Sequence, residues 1–287
     1  MGRTLSLSTM IKNILVCLEG SASSDAATRV SIAVGRELSA RLTGLAIVDE
    51  PDIRAGAAAG IGASSYKRER DDALVLDARK QAADWISLFE ARCREGEVPA
   101  HSFEVVGRPA ASILEKMAAH DLTVVGRDAN FRFETESQDP ETRDQILRRG
   151  VRPVLLVPEG TEKLRERVLV AYDGSGAVKR AAASFAGSGL AASRDVIVAT
   201  IDDDGGRAWE IASQGCEIFR QAGLLAKPHN VVSVLSNTEA IFQTAKDLDV
   251  GMIVMGAFAH SRLAHLFHQS VMRGLIERTT VPLYLQH

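Results

Sequence analysis

The sequence predicts an α/β fold made of two tandem copies of one domain, each a parallel sheet with helices on both faces. Short β-branched runs alternate with segments whose apolar residues recur every three or four positions. One segment, an apolar run followed by an acidic residue, Gly, Ser and a helical pattern, begins at Asn13 and again at Arg167. Each copy later has an apolar run that ends in glycine, at Gly126 and Gly256, and then a closing extended segment with a proline near its start, Pro153 or Pro282.

Length and composition agree with two globular domains. The chain has 287 residues, of which 46% are hydrophobic and 25% charged, and its net charge is −3. So small a charge gives no general attraction to nucleic acid or to an anionic membrane. No apolar run approaches the ~18 residues of a membrane span, and the first residues lack the apolar block of a secretory signal. We therefore expect a cytoplasmic protein with no nucleic-acid or membrane partner.

In the first copy, five apolar runs are predicted to be strands separated by helical patterns. These predicted strands are Asn13 to Leu18, Leu42 to Val48, His101 to Val106, Leu122 to Val125 and Pro153 to Val157. An Ala/Gly-rich segment, residues 50–66, follows the second run. It is predicted to be a mobile surface loop, and a lid over a site is the alternative.

The second copy repeats this order and is shorter, chiefly because it lacks the Ala/Gly-rich segment. Its predicted strands are Val168 to Tyr172, Val196 to Ile201, Asn230 to Leu235, Met252 to Met255 and Leu283 to Leu285. A charged stretch from Gly160 to Glu166 separates the copies, which predicts domains at residues 1–160 and 161–287.

These segments resemble the universal stress protein family. The resemblance rests on VLVAYDGS, VGMIVMGAFAHSRL and VPLYLQH in the second copy, and on ILVCLEGS, VGRPAASILEKMAAHDLTVVG and RPVLLVP in the first. It implies flavodoxin/Rossmann-like domains, each a five-stranded parallel sheet in the order 3-2-1-4-5 that pairs with its sister through strand five. It also implies a cytoplasmic stress-response protein, because members of the family are of that kind, many binding ATP or AMP and few having an established reaction.

Physical reasoning supports the pairing through strand five. An exposed edge strand invites aggregation, and a proline at the start of a strand fits an edge or a special pairing. Pro153 and Pro282 stand at the start of the two final strands. Joining these strands within one chain covers both edges, so we expect an internal pseudo-dimer.

The same strand order predicts where a ligand would bind. Ligands of open parallel sheets bind beyond the carboxyl ends of the strands where the order reverses, here between strands one and four. Those strands end at Glu19 and Gly126 in the first copy and at Asp173 and Gly256 in the second. We expect each pair to be neighbours in space.

The family's nucleotide motif is GxxG, nine residues, then Gly followed by Ser or Thr, in which glycines let backbone N–H groups approach phosphate. The second copy keeps the spacing but has Ala259 and Gln269 in place of two glycines, which predicts weakened phosphate binding. The resemblance places the acidic residue that ends strand one beside the adenosine part of the ligand. It implies an ATP or AMP site formed by Tyr172, Asp173, Gly174, Ser175, Ile201, Gly256, Ala259, His260, Gln269 and Ser270.

The first copy departs further from the motif, with no second glycine and no Gly-Ser pair after Gly126. Its loop, residues 128–144, carries six acids, Asp128, Glu134, Glu136, Asp139, Glu141 and Asp144, against Arg132 and Arg143. The matching residues 257–273 have no acid and carry Arg262 and Arg273, so a nucleotide is expected to prefer the second copy. The alternatives are that both loops are solvated surface, or that the acidic loop docks on a basic patch of the partner domain or of another chain.

Other candidate groups have simpler interpretations. The histidines His260, His265 and His268 have no carboxylate or cysteine beside them, so no metal site is predicted. The run Asp202 to Gly205 lacks the later glutamate of a calcium loop and predicts a turn. Ser21 and Ser175 are predicted to cap helices, because a nucleophilic serine needs a base within reach and no histidine stands in an interpretable position.

The remaining side chains of interest are cysteines and tryptophans. Cys17, Cys93 and Cys216 are far apart in sequence and odd in number, which argues against a disulfide framework. Cys17 is predicted to be buried. Trp85 and Trp209 are predicted to pack in the core or at an interface.

Three classes of function follow. The first is a stress-response regulatory protein whose second domain binds an adenine nucleotide weakly. The second is a nucleotide-free interaction or scaffold protein. The third, an ATP hydrolase or small-ligand enzyme, has least support because the sequence has no P-loop and no identifiable general base, so no catalytic activity is predicted. A further homo-oligomer and an unidentified protein partner stay open.

Overall fold

The computed structural model describes residues 10–55, 64–131, 141–257 and 265–287, without the side chains of residues 64, 141 and 265–270. The strands are β1 (Asn13–Leu18), β2 (Arg41–Val48), β3 (Ala100–Val106), β4 (Leu122–Gly126), β5 (Val154–Val157), β6 (Arg167–Ala171), β7 (Asp195–Ile201), β8 (Ala226–Val231), β9 (Met252–Gly256) and β10 (Leu283–Gln286). The helices are α1 (Ala22–Leu38), α2 (Glu50–Ala55), α3 (Ser64–Glu95), α4 (Pro109–Met117), α5 (Glu141–Arg149), α6 (Gly176–Gly187), α7 (Gly205–Gln221), α8 (Asn237–Asp247) and α9 (His265–Arg278).

These strands form one sheet in the order β3-β2-β1-β4-β5-β10-β9-β6-β7-β8. The predicted α/β fold is confirmed, and each half of the sheet has the order 3-2-1-4-5. We call β1 to β5 with their helices the first half, and β6 to β10 with theirs the second half. The predicted domain limits, 1–160 and 161–287, leave five strands on each side, and the independence of the two domains stays a prediction.

The halves meet through their fifth strands. β5 and β10 pair antiparallel, with Leu156 opposite Leu283 and Val154 opposite Leu285, whereas the other paired strands run parallel. Neither strand therefore leaves an open edge, as the internal pseudo-dimer requires.

The strands are apolar along their length because both faces of the sheet are covered. Alternate residues of β1 enter different cores: Ile14 and Val16 pack on one face, and Leu15 and Cys17 on the other, all 0% exposed. The first face is covered by α1, α3, α6 and α7, and the second by α4, α5, α8 and α9. Among the described helices, none is long and apolar enough to cross a membrane.

The prediction for the eighth strand was wrong. The strand runs over Ala226–Val231, four residues before the predicted Asn230 to Leu235. The β-branched run favoured the later segment, yet Val234 is fully exposed and Leu235 half exposed. Pro228 is tolerated because β8 is an edge strand that pairs only with β7.

The Ala/Gly-rich segment is also more ordered at its ends than predicted. Residues 50–55 form α2, and residues 64–66 begin α3, so only residues 56–63 lie outside the described residues. The helix α2 is stabilised by Asp49, whose Oδ1 accepts from the Asp52 amide at 3.1 Å, and by the Arg54–Glu50 pair at 2.7 Å.

Candidate functional site

A cleft opens beyond the carboxyl ends of β6 and β9, where the strand order of the second half reverses. Its volume is about 840 Å³, with its open mouth included. Five of the predicted site residues line it, namely Tyr172, Asp173, Ser175, Ile201 and Gly256. The fold therefore brings these five together at the place expected for a ligand.

The turn from β6 to α6 holds the acidic residue at the cleft. Gly174 has φ +75°, a conformation that glycine adopts without steric cost. This turn lets the Ser175 amide donate to Oδ1 of Asp173 at 2.9 Å. The Ser175 hydroxyl accepts from the Val178 amide at 3.3 Å, so it caps α6 as predicted. The Asp173 side chain is exposed at the cleft.

The last residue of β9 is a glycine, Gly256, and the helix α6 approaches this residue closely. A Cβ atom at this position would lie 2.7 Å from the backbone of Ala177 and of Val178. The absence of a side chain therefore lets the amino end of α6 pack against the end of β9, and this contact brings Asp173 and Gly256 to one cleft. The predicted neighbourhood of strand ends one and four is confirmed in the second half.

The walls of the cleft are mostly apolar, with a few polar groups among them. The apolar residues are Leu169, Ala171, Ala177, Val178, Ala199, Ile201, Val231, Ile241, Met255 and Val271. Besides Asp173 and Ser175, the polar side chains are those of Asn237 and Thr244 on α8. Sequence reasoning missed this α8 wall, because its residues read only as an ordinary amphipathic helix.

Gly174 lies in the turn before α6 and is not among the residues that line the cleft. The other four predicted site residues are not placed. Ala259 and His260 lie outside the described residues, as does Arg262. Gln269 and Ser270 belong to α9 by backbone, but their side chains lie outside the described part, together with those of His265 and His268. In the described part of the chain, no group of three or more His, Cys, Asp or Glu side chains could hold a metal ion.

Two small residues open the cleft. Ala171 and Ala199 are opposite each other in the β6–β7 pair, and both line the cleft. The matching pair in the first half, at the same distance from the acidic residue, is Cys17 opposite Leu45. These larger side chains are 0% exposed within the core of the first half. A comparison of the two copies at paired strand positions could therefore have revealed the cleft.

In the first half, the chain itself covers the corresponding place. The residues after β4 fold back, so that the Asn130 amide donates to Oε2 of Glu19 at 3.2 Å. Ala129 and Phe131 are 7% and 3% exposed, and they belong to the apolar core that contains Cys17 and Leu45. This contradicts a purely solvated loop at residues 129–131. Residues 132–140, with three of the six acids of the loop, lie outside the described residues.

Glu19 is consequently buried, in contrast to Asp173. Its Oε1 accepts from the amide of Ser21 at 3.3 Å and from the Ser21 hydroxyl. Burial raises the pKa of Glu19 above its usual range, although the hydrogen bonds from Ser21 and Asn130 oppose the rise. The nearby Asp128 carboxylate adds to it. The acidic residue of the first half is thus occupied by its own chain.

The buried Glu19 predicts a pH dependence of stability. The pKa of Glu19 is higher in the folded than in the unfolded state. The folded state therefore loses stability as the pH rises from the unfolded pKa to the folded pKa. We expect Glu19→Gln to remove this loss, which is about 1.4 kcal/mol for every tenfold decrease in the acid dissociation constant on folding. Thermal unfolding midpoints of both proteins between pH 4 and pH 8 measure it.

Glu37 supplies a control of opposite sign. Burial raises the pKa of Glu37, but hydrogen bonds from Arg194 and Ser193 outweigh it, and the net pKa is lowered. This group therefore contributes stability above its unfolded pKa that is lost as the pH falls through the folded one. Glu37→Gln is expected to flatten the acid side of the profile. If Glu19→Gln leaves the slope unchanged, Glu19 does not control it.

The remaining candidate groups have structural roles. The Ser21 hydroxyl accepts from the Ser24 amide at 3.1 Å and caps α1, as predicted. Asp204 caps α7 and Arg207 pairs with Asp202, so the acidic run is a turn at a helix start. Cys17 is buried, as predicted. Trp85 packs partly buried against the core. Trp209 is 51% exposed, so it is not a core residue, and its packing at an interface stays a prediction.

Comparison with known proteins adds the following. The model of the universal stress protein family matches residues 10–158. A universal stress protein from Synechocystis sp. is 25% identical over 164 residues, which cover 56% of this chain and 56% of that protein. The alignment thus spans little more than half the length of this curated relative.

Two solved structures are similar in fold along nearly the whole chain. A universal stress protein from Archaeoglobus fulgidus has a TM-score of 0.73 at 15% identity, with 98% of each chain covered. A functionally unknown protein from Pseudomonas aeruginosa has a TM-score of 0.54 at 17% identity, with 96% of this chain and 92% of that chain covered. At these identities the likeness concerns the fold.

Proposed function

This chain belongs to the universal stress protein family, and on that premise we propose that it is a stress-response regulatory protein whose second half binds one adenine nucleotide, ATP or AMP. Family membership supports the role in the stress response. The nucleotide ligand is proposed from the position and make-up of the cleft. The protein is proposed to act by ligand-dependent conformation or partner binding, and no catalytic step is proposed for it.

One observation carries the proposal: among the described residues, the second half has an open cleft at the switch point of its sheet, whereas residues 129–131 of the first half pack over the same place. The open cleft combines apolar walls with a small number of polar groups, a typical make-up of small-molecule sites. The walls suit a flat, apolar base. The exposed carboxylate of Asp173 suits a hydroxyl-bearing group such as ribose, for which it is an acceptor.

Phosphate binding is expected to be the weak part of the interaction. The loop that carries the motif has lost two glycines, at Ala259 and Gln269, and the second of these precedes Ser270. Base and sugar contacts would then supply most of the affinity, so ATP and AMP are expected to bind with similar strength. Similar affinities for ATP and AMP would distinguish the protein from a nucleotide hydrolase, because a hydrolase must bind the terminal phosphates of ATP.

Calorimetric titration of ATP and of AMP into protein freed of nucleotide tests the proposal. We expect one site per chain, and a roughly tenfold to hundredfold loss of affinity in Asp173→Ala, since hydrogen bonds to charged groups contribute about 1.5–3 kcal/mol. Asp203→Ala is the matched control, because it removes the same charge from an exposed side chain outside the cleft. No heat and no thermal shift at millimolar ligand would contradict the proposal.

The first half is proposed to have a different role. Its cleft is covered by Asn130 and Phe131, and Glu19 is bound to its own loop, which favours a nucleotide-free interaction function there. The protein partner, a further homo-oligomer and the cytoplasmic location are carried forward as parts of the proposal. Sustained phosphate release from ATP, lost in Asp173→Ala, would instead support a hydrolase.

A further inference from the structure

We propose that Arg127 of the first half is a positioning residue for the ligand cleft of the second half, acting through the carboxyl end of α9. The inference rests on the proposed nucleotide site and adds to it the contact by which the closed half controls the open one.

Arg127 is held firmly where it leaves β4. Its amide donates to the Val157 carbonyl at 2.7 Å, and its own carbonyl accepts from Nη1 of Arg143 at 2.9 Å. Its guanidinium forms a fork with Asp128, Nε to Oδ1 and Nη2 to Oδ2, both at 2.9 Å. The side chain therefore has little freedom, and its direction is set by the first half.

From this position, Arg127 reaches across the boundary between the halves. Its Nη1 donates to the Thr279 carbonyl at 2.6 Å. Thr279 is 0% exposed and the Arg127 side chain 21%, so the bond is largely shielded from water. A cation at the carboxyl end of a helix also complements the helix dipole. The bond thus joins a buried carbonyl to a charged donor.

Thr279 fixes the junction between α9 and the last strand. Its amide donates to the Leu275 carbonyl at 2.8 Å, which closes the last turn of the helix. Its hydroxyl accepts from the Val281 amide at 3.1 Å and also bonds to the Val281 carbonyl. A shift of Thr279 would therefore move the end of α9.

The helix carries that shift to the cleft. Met272, Leu275 and Ile276 are buried in the core, and Val271 lines the cleft. Val271 lies about 12 Å from Thr279 along the helix axis. A packed helix moves as a unit because its core is dense, so the position of its end affects the cleft wall.

The bond between Arg127 and Thr279 has no counterpart at the equivalent position of the second half. Arg127 and Ala257 are equivalent, since each follows the glycine that ends the fourth strand and each amide donates to the fifth strand of its half. Alanine has no side-chain donor, so position 257 cannot return the bond. The first half therefore acts on the cleft of the second half without a reciprocal contact at this position.

The test compares two arginines that join the halves. Arg127→Ala is expected to weaken ATP binding about fivefold, the low end of typical coupling between sites, and Arg127→Lys to recover part of it. Arg194→Ala is the matched control, since Arg194 is 5% exposed and pairs with Glu37 of α1, far from α9 in the chain. Titration and thermal unfolding are measured on all four full-length proteins.

Hydrogen exchange of the amides at 271–278 is measured without ligand, so that this inference can fail separately from the proposed ligand. Faster exchange there in Arg127→Ala alone, with weaker binding, supports the proposal. Unchanged exchange, or equal losses of affinity in Arg127→Ala and Arg194→Ala, overturns it. If the wild type binds no nucleotide, the proposed ligand is wrong, and the exchange result alone decides whether Arg127 holds α9.

Discussion

Replacing Ala199 with leucine is expected to weaken nucleotide binding strongly while leaving the sheet intact. Ala199 lines the cleft opposite Ala171, and the first half carries Leu45 at the same place, where it is buried in the core. A leucine at position 199 would fill space that the base needs. The affinity for ATP should fall more than tenfold, which is a loss of over about 1.4 kcal/mol of binding free energy.

Calorimetry and circular dichroism of Ala199→Leu measure this effect. Ala222→Leu is the matched control, because it adds the same atoms at an exposed position after α7. Its affinity and its unfolding midpoint should equal those of the wild type. Undiminished ATP binding by a folded Ala199→Leu protein would show that the base lies elsewhere.

Replacing Phe131 with alanine is expected to have the largest effect on stability. Phe131 is 3% exposed and packs in the apolar core of the first half. Removal of a buried phenyl ring typically costs about 3–5 kcal/mol, since the cavity left behind closes only in part. The free energy of unfolding should fall by this amount, whereas the ATP affinity of the second half should change little.

Urea unfolding followed by fluorescence and circular dichroism measures the loss. Leu225→Ala is the control, because Leu225 is 91% exposed and its removal leaves no cavity. An equally small change in Phe131→Ala would mean that the loop after β4 does not close the first half. Gain of a second ATP site in Phe131→Ala would show instead that the ring alone blocks it.

Much of the fold followed from local pattern. The strand at Asn13–Leu18 matches its prediction residue for residue, since an apolar run bounded by turn residues is a clear signal for a buried parallel strand. The prolines before β5 and β10 correctly indicated a special pairing. Because the sequence repeats, the strand order predicted for one half could be compared with that predicted for the other.

The prediction of the eighth strand was wrong because pairing with β7 outweighed the β-propensity of the later residues. Val232, Val234 and Leu235 have the side chains of a strand, but the chain pairs with β7 through the less apolar residues before them. At an edge, one neighbour alone decides the register, and β-propensity is a weak guide.

The candidate site was predictable only in part. Asp173, Ser175 and Gly256 follow from the ends of strands one and four, and the fold places them at one cleft. The closure of the first half was missed because Phe131 stands in a charged stretch that reads as solvated surface. Phe131 belongs to an apolar core whose other members, such as Cys17 and Leu45, are distant from it in sequence.

We propose that one half of this symmetric fold keeps a ligand cleft and that the other half has closed its own. Hydrogen exchange of the full chain with and without saturating ATP tests it most directly. We predict protection at 169–175, 199–201 and 237–244, and no change at 15–21, 45–47 and 109–117. Protection of the first-half segments, or of neither set, would contradict the account.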